Sequence, residues 1–139
     1  MLARVKRGLT GLVVMAALAG CSSGDGGSDP KPAEGAPKAV AEAIDGLERA
    51  TVRRDFAEIC DDLFTEAARG RAGGEDCAQL LRSTAGDIRE PSIRVVAIDI
   101  DGDKADVRVS SSAEGQGAVE ETIQLVRDGD EYRIEALGE

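Results

Sequence analysis

Residues 92–137 read SIRVVAIDIDGDKADVRVSSSAEGQGAVEETIQLVRDGDEYRIEAL, and their two-residue rhythm decides the class of fold. Successive side chains of a strand point to opposite faces, so alternating apolar and polar residues mark strands with one buried face. Val107 and Val109 alternate with Asp106, Arg108 and Ser110. Val119, Ile123 and Leu125 alternate with Glu120, Thr122 and Gln124, and Tyr132, Ile134 and Ala136 with Arg133 and Glu135. In the first run, Ile93, Val95 and Ala97 are expected on one face and Val96, Ile98 and Ile100 on the other. Two Asp-Gly-Asp triplets, Asp101–Asp103 and Asp128–Asp130, sit where tight hairpin turns would join neighbouring strands. Ser110–Gly117 reads as a looser polar loop. A four-stranded antiparallel meander is the expectation.

Upstream the period changes to that of a helix. Val40, Ile44, Leu47 and Thr51 fall on one stripe, with Ala43 and Ala50 beside it. Arg53-Arg54-Asp55 interrupts, and Asp55 is the expected N-cap of a second helix with Phe56, Ile59, Cys60, Leu63 and Phe64 on one face. Gly70 and Gly73-Gly74 break the chain. Glu75 and Asp76 open a third short helix with Cys77, Leu80, Leu81 and Thr84 inward. Three helices followed by a meander make an α+β domain, placed at residues 39–139.

Residues 1–20 have a different character. Arg4, Lys6 and Arg7 precede an apolar run from Leu9 to Leu18, too short to span a bilayer comfortably and ordered like an export signal. The run ends in Leu18-Ala19-Gly20-Cys21, which resembles the lipobox of bacterial lipoproteins. That resemblance implies cleavage after Gly20 and a diacylglycerol on the Cys21 thiol, hence a membrane anchor on the extracytoplasmic face of the cell membrane. Residues 22–38, SSGDGGSDPKPAEGAPK, carry no large apolar side chain and read as a flexible linker with a reach of about 23 Å.

Composition removes several functions. The net charge is −10, with 27 acidic against 17 basic residues, so the mean field repels phosphate and nucleic acid is not expected as a partner. There is no His and no Trp, which excludes His-based triads and His metal ligands. Export leaves Cys60 and Cys77 in an oxidising compartment, and a Cys60–Cys77 disulfide between the second and third helices is expected. It would contribute roughly 3 kcal/mol. Two sulfurs alone do not complete a metal shell, so neither metal nor cofactor is expected. The Asp-Gly-Asp triplets lack the dozen-residue ligand spacing of a calcium loop. Asp61-Asp62 reads as a solvated pair, and Glu120 and Glu121, as strand neighbours, do not converge. Ser110–Ser112 have no base partner.

RRDFAEICDDLFTEAARG (residues 53–70) with EDCAQLL (75–81) resembles the helical half of small NTF2-like domains. LVRDGDEYRIEALG (125–138) is similar to the last hairpin of that family. The resemblance extends to exported lipoproteins of actinobacterial type, with a Cys in each of helices two and three. It implies a curved sheet wrapped around the helices as an NTF2-like or cystatin-like cone, with Phe56, Leu63 and Tyr132 as a candidate pocket. The expected function is a non-catalytic, lipid-anchored binding or interaction module, its partner an envelope protein or a small apolar ligand. The alternative is a pocket enzyme of isomerase or dehydratase type using a strand carboxylate with Tyr132; no catalytic set is carried over.

Overall fold

The alternation resolves into four strands, β1 (Ser92–Asp101), β2 (Lys104–Ala113), β3 (Gln116–Asp128) and β4 (Glu131–Leu137), in one antiparallel sheet ordered β1-β2-β3-β4. This is a computed structural model, and it describes residues 35–138. The Leu18-Ala19-Gly20-Cys21 box, the export signal and most of the 22–38 linker lie outside the described residues. Both Asp-Gly-Asp triplets form two-residue turns. Asp101 pairs with Lys104 and Asp128 with Glu131, and Gly102 and Gly129 take φ 61° and 66° at the first central position. That backbone favours glycine, and it matches the twist of the strands it joins.

Two expectations are corrected here. Ser110–Gly117 is not a loose loop: β2 and β3 run through it, pairing Ser111 with Val119 and Ala113 with Gln116. Backbone ladder bonds do not need apolar side chains, so a polar outer stretch extends the hairpin. Nor does β1 divide its large apolar residues between the two faces as expected. The register shifts between Val95 and Ala97, so that Val96 is the extra residue of a bulge. Ile93, Val95, Ile98 and Ile100 consequently all pack towards the core, while Val96 is 45% exposed. Further shifts occur between Ser111 and Ala113 and, in the β3–β4 pair, between Gln124 and Leu125. Bulges bend strands and increase twist, which gives the sheet its curvature.

The helices precede the sheet and cover its inner face. Helix α1 (Ala36–Arg53) begins inside the segment read as linker, with Pro in its first turn, where a missing N–H is harmless. It buries Val40, Ala43, Ile44, Gly46, Leu47 and Ala50 and ends at Arg54 in the left-handed conformation, φ 59°. Asp55 caps α2 (Phe56–Glu58) as expected, accepting from the Glu58 N–H at 3.1 Å. The expected regular helix does not continue. Ile59–Leu63 is a π-helical turn closed by the Phe64 N–H on the Ile59 carbonyl at 2.9 Å. Widening the turn leaves Leu63 half-buried and off the Phe56 stripe, while Phe64, in extended backbone, stays buried. Phe64 then bridges to Ile134, and the Thr65 N–H donates to the Ile134 carbonyl at 2.9 Å.

A helix the sequence reading did not contain follows, α3 (Glu66–Arg71), N-capped by Thr65, whose hydroxyl accepts from Ala68 N–H at 3.0 Å. A short 3₁₀ turn, Gly74–Asp76, leads into α4 (Cys77–Ala85). Cys77, Ala78, Leu81 and Ala85 face the core, whereas Leu80 is 47% exposed and Thr84 is exposed, its hydroxyl donating to the Leu80 carbonyl at 2.9 Å. The tie at Cys77 sets this rotation. Cys60 and Cys77 lie at disulfide distance with Cα atoms 6.1 Å apart, joining the π-turn to α4. The core is the interlock of α1, Phe56, Ile59 and Phe64 with Val107, Val109, Ile123, Leu125, Tyr132 and Ile134 of the sheet.

Candidate functional site

Between the helices and the inner face of the sheet the apolar side chains do not close completely. A cavity of about 180 Å³ remains under α1, α2 and α4, walled by Leu47, Phe56, Phe64, Leu81, Ile93 and Ile123 among others. Its polar members are Thr51 and Glu121. The Thr51 hydroxyl is already engaged, donating to the Leu47 carbonyl at 2.7 Å. Glu121 lies opposite Val109 in the β2–β3 ladder and two residues before buried Ile123, so strand alternation turns it to the helical side. It is half-buried, and the Ser111 hydroxyl donates to its carboxylate. Its neighbour Glu120 is exposed, as alternation requires.

The expected pocket trio is not brought together. Phe56 lines this cavity, but Leu63 and Tyr132 line a separate recess of about 250 Å³, which also holds Arg49, Glu58 and Asp62. Displacement of Leu63 follows from the π-turn. Displacement of Tyr132 follows from register. Tyr132 pairs with Arg127, six positions beyond Glu121 along β3, a separation of roughly 20 Å at strand rise. No acid–tyrosine pair is thereby assembled between Glu121 and Tyr132. The Tyr132 ring is core, 5% exposed, and its hydroxyl has no hydrogen-bond partner among the described residues. Asp61 and Asp62 face solvent, Asp61 pairing with Arg69 at 3.2 Å.

Glu121 is the residue that sequence reasoning passed over. The signal for it is its shared parity with Ile123 and Leu125 along β3. Among the described residues, no group of three or more Cys, Asp or Glu is placed to hold a metal ion. No helix among them is long and apolar enough to cross a membrane.

No family model and no curated protein matches the sequence. Solved structures do resemble the fold. An NTF2-like protein of unknown function from Silicibacter pomeroyi aligns with TM-score 0.54 at 13% identity, over 71% of this chain and 89% of the other. One from Shewanella baltica, also of unknown function, aligns with TM-score 0.51 at 12% identity, over 71% and 87%. A de novo designed protein with a curved β-sheet gives TM-score 0.51 at 18% identity, over 72% and 99%. Likeness at such low identity concerns architecture alone, and by architecture the described residues form an α+β domain of NTF2-like fold.

Proposed function

We propose that this protein is a lipid-anchored binding module on the extracytoplasmic side of a cell membrane, and that its cavity takes a small apolar ligand. The anchor rests on the order of positive residues, apolar run and Leu18-Ala19-Gly20-Cys21 in the sequence. Two acyl chains on one cysteine would hold the domain stably at the surface, and the polar linker would let it stand away from it. The oxidised cysteine pair fits that compartment.

The binding half of the proposal is carried by one observation: a cavity of about 180 Å³ walled almost wholly by aliphatic and aromatic side chains. Apolar space of this kind gains free energy when filled by apolar groups. Drug-sized ligands occupy about 300–1,000 Å³, so the occupant is small or extends outwards. A binding role is favoured over the isomerase or dehydratase reading because the buried Tyr132 hydroxyl hydrogen-bonds to none of the carboxylates that line its own recess, and Glu121 lines a different one.

Two experiments test the halves separately. Labelled palmitate should enter the wild-type protein and not Cys21→Ala; labelling that persists in the variant refutes the anchor. Titration of 1-octanol, an uncharged apolar probe, should shift methyl resonances of Leu81 and Ile123 in NMR spectra. If these stay fixed at saturating octanol, the cavity is not a binding site.

A further inference from the structure

We infer that the ligand is an amphiphile with a cationic head, its apolar tail inside the cavity and a primary ammonium seated on the Glu121 carboxylate. This rests on the cavity reading above and adds the head group to it. The cavity adjoins a second recess of about 260 Å³ beside β1 and the β2–β3 hairpin, the two sharing Thr51, Ile93 and Glu121 in their walls. Among the described residues, Glu121 is the one charged side chain lining either space, and both spaces share it. The rest of the shared wall is aliphatic or uncharged. Two of the large apolar side chains left exposed on the molecule, Leu137 (45%) and Val119 (63%), line the cavity and the recess respectively, so a tail running through both would cover them.

The head group follows from the chemistry of a half-buried carboxylate. Ionised, it only accepts hydrogen bonds, and its two oxygens have about four acceptor sites. Ser111 fills one of these. Among the described residues, no Lys or Arg lines either space to neutralise it. An ammonium supplies three donors and the opposite charge, and charge-assisted bonds of this type are roughly twice as strong as neutral ones. An anionic head would be repelled across a wall that screens poorly. A hydroxyl head would gain one donor without the charge.

The test holds the tail constant and varies the head. Octylamine, 1-octanol and octanoate are titrated calorimetrically at neutral pH into the wild-type domain, Glu121→Gln and Glu120→Gln. Glu120→Gln removes the same charge from the exposed face and controls for general attraction of amines to an acidic protein. Octylamine should bind wild type and Glu120→Gln at least about ten-fold more tightly than octanol, with octanoate weakest. In Glu121→Gln, which keeps an acceptor for Ser111, the preference for octylamine over octanol should collapse. Octanoate binding as tightly as octylamine, or an octylamine preference that survives in Glu121→Gln, overturns the head-group inference and leaves the cavity reading standing. Absence of binding by all three, octanol included, overturns both.

Discussion

Thr65 shows how much a single hydroxyl can hold. It accepts from the Ala68 N–H at 3.0 Å, capping α3, and donates to the Glu135 carboxylate at 2.6 Å, fastening that helix to β4. Thr65→Ala should destabilise the domain by about 1–2 kcal/mol in urea unfolding, and Thr65→Ser should keep most of the loss from occurring. Equal losses in the two variants would refute the hydroxyl's role. Glu135 feels the same contact. The Thr65 hydroxyl holds its carboxyl below the usual carboxylate range, burial opposes this, and the Arg71 guanidinium adds to the lowering. A folded-state value below the unfolded one means stability that is full above the unfolded value and is lost as pH falls through the folded one. Acidification through that range should therefore weaken the wild type more than Glu135→Gln. The side chain is 31% exposed, so the difference is modest. Parallel stability–pH curves for the two proteins would contradict the assignment.

At the scale of the element, the bulge at Val96 decides which way half of β1 faces. With one residue looped out, Ile93 and Val95 before it and Ile98 and Ile100 after it share the inner side. Deleting Val96 should restore regular pairing with both pairs still inward, since Ile93, Val95, Ile98 and Ile100 then alternate strictly with Arg94, Ala97 and Asp99, and should change stability by no more than about 1 kcal/mol. Val96→Thr, on the exposed face, should change stability by no more than about 0.5 kcal/mol. Chemical denaturation of both variants checks this, and a deletion far less stable than the substitution would show that the bend at the bulge, and not side-chain parity alone, supports the core. The π-turn acts comparably on the helical side. It ends the regular helix early, sends Leu63 to one recess and leaves Phe56 and Phe64 at the cavity.

For the molecule as a whole, α4 is held lightly by its own side chains, since Cys77 is its one buried residue and Ala78, Leu81 and Ala85 are only partly buried. The bond to Cys60, 17 positions away, is what fixes it to the body of helices. The double variant Cys60→Ala/Cys77→Ala should lose roughly 3 kcal/mol and 12–24 °C in melting temperature. Hydrogen exchange should rise first in residues 77–85. A uniform rise in exchange across the sheet would show that the bridge supports the whole domain rather than this helix. Because α4 supplies Leu81 and Ala85 to the cavity wall, the double variant should also lose octanol binding.

The amino-acid sequence alone determined that helices precede a four-stranded meander, the two Gly-containing hairpin turns, the Asp55 cap and the pairing of Cys60 with Cys77 that the structure contains. All of these follow from interactions between near neighbours or from elimination, so local chemistry suffices to read them. Packing between distant segments decided the rest. The bulge at Val96, the π-turn before Phe64 and the rotation of α4 each resolve a competition between a local period and a fixed neighbour, and the neighbour prevails because core side chains interlock with little slack. Glu121 belongs to the same class. Its parity along β3 was legible, but a carboxylate becomes the polar group of an apolar cavity only when helices from the other half of the chain close over that face of the sheet.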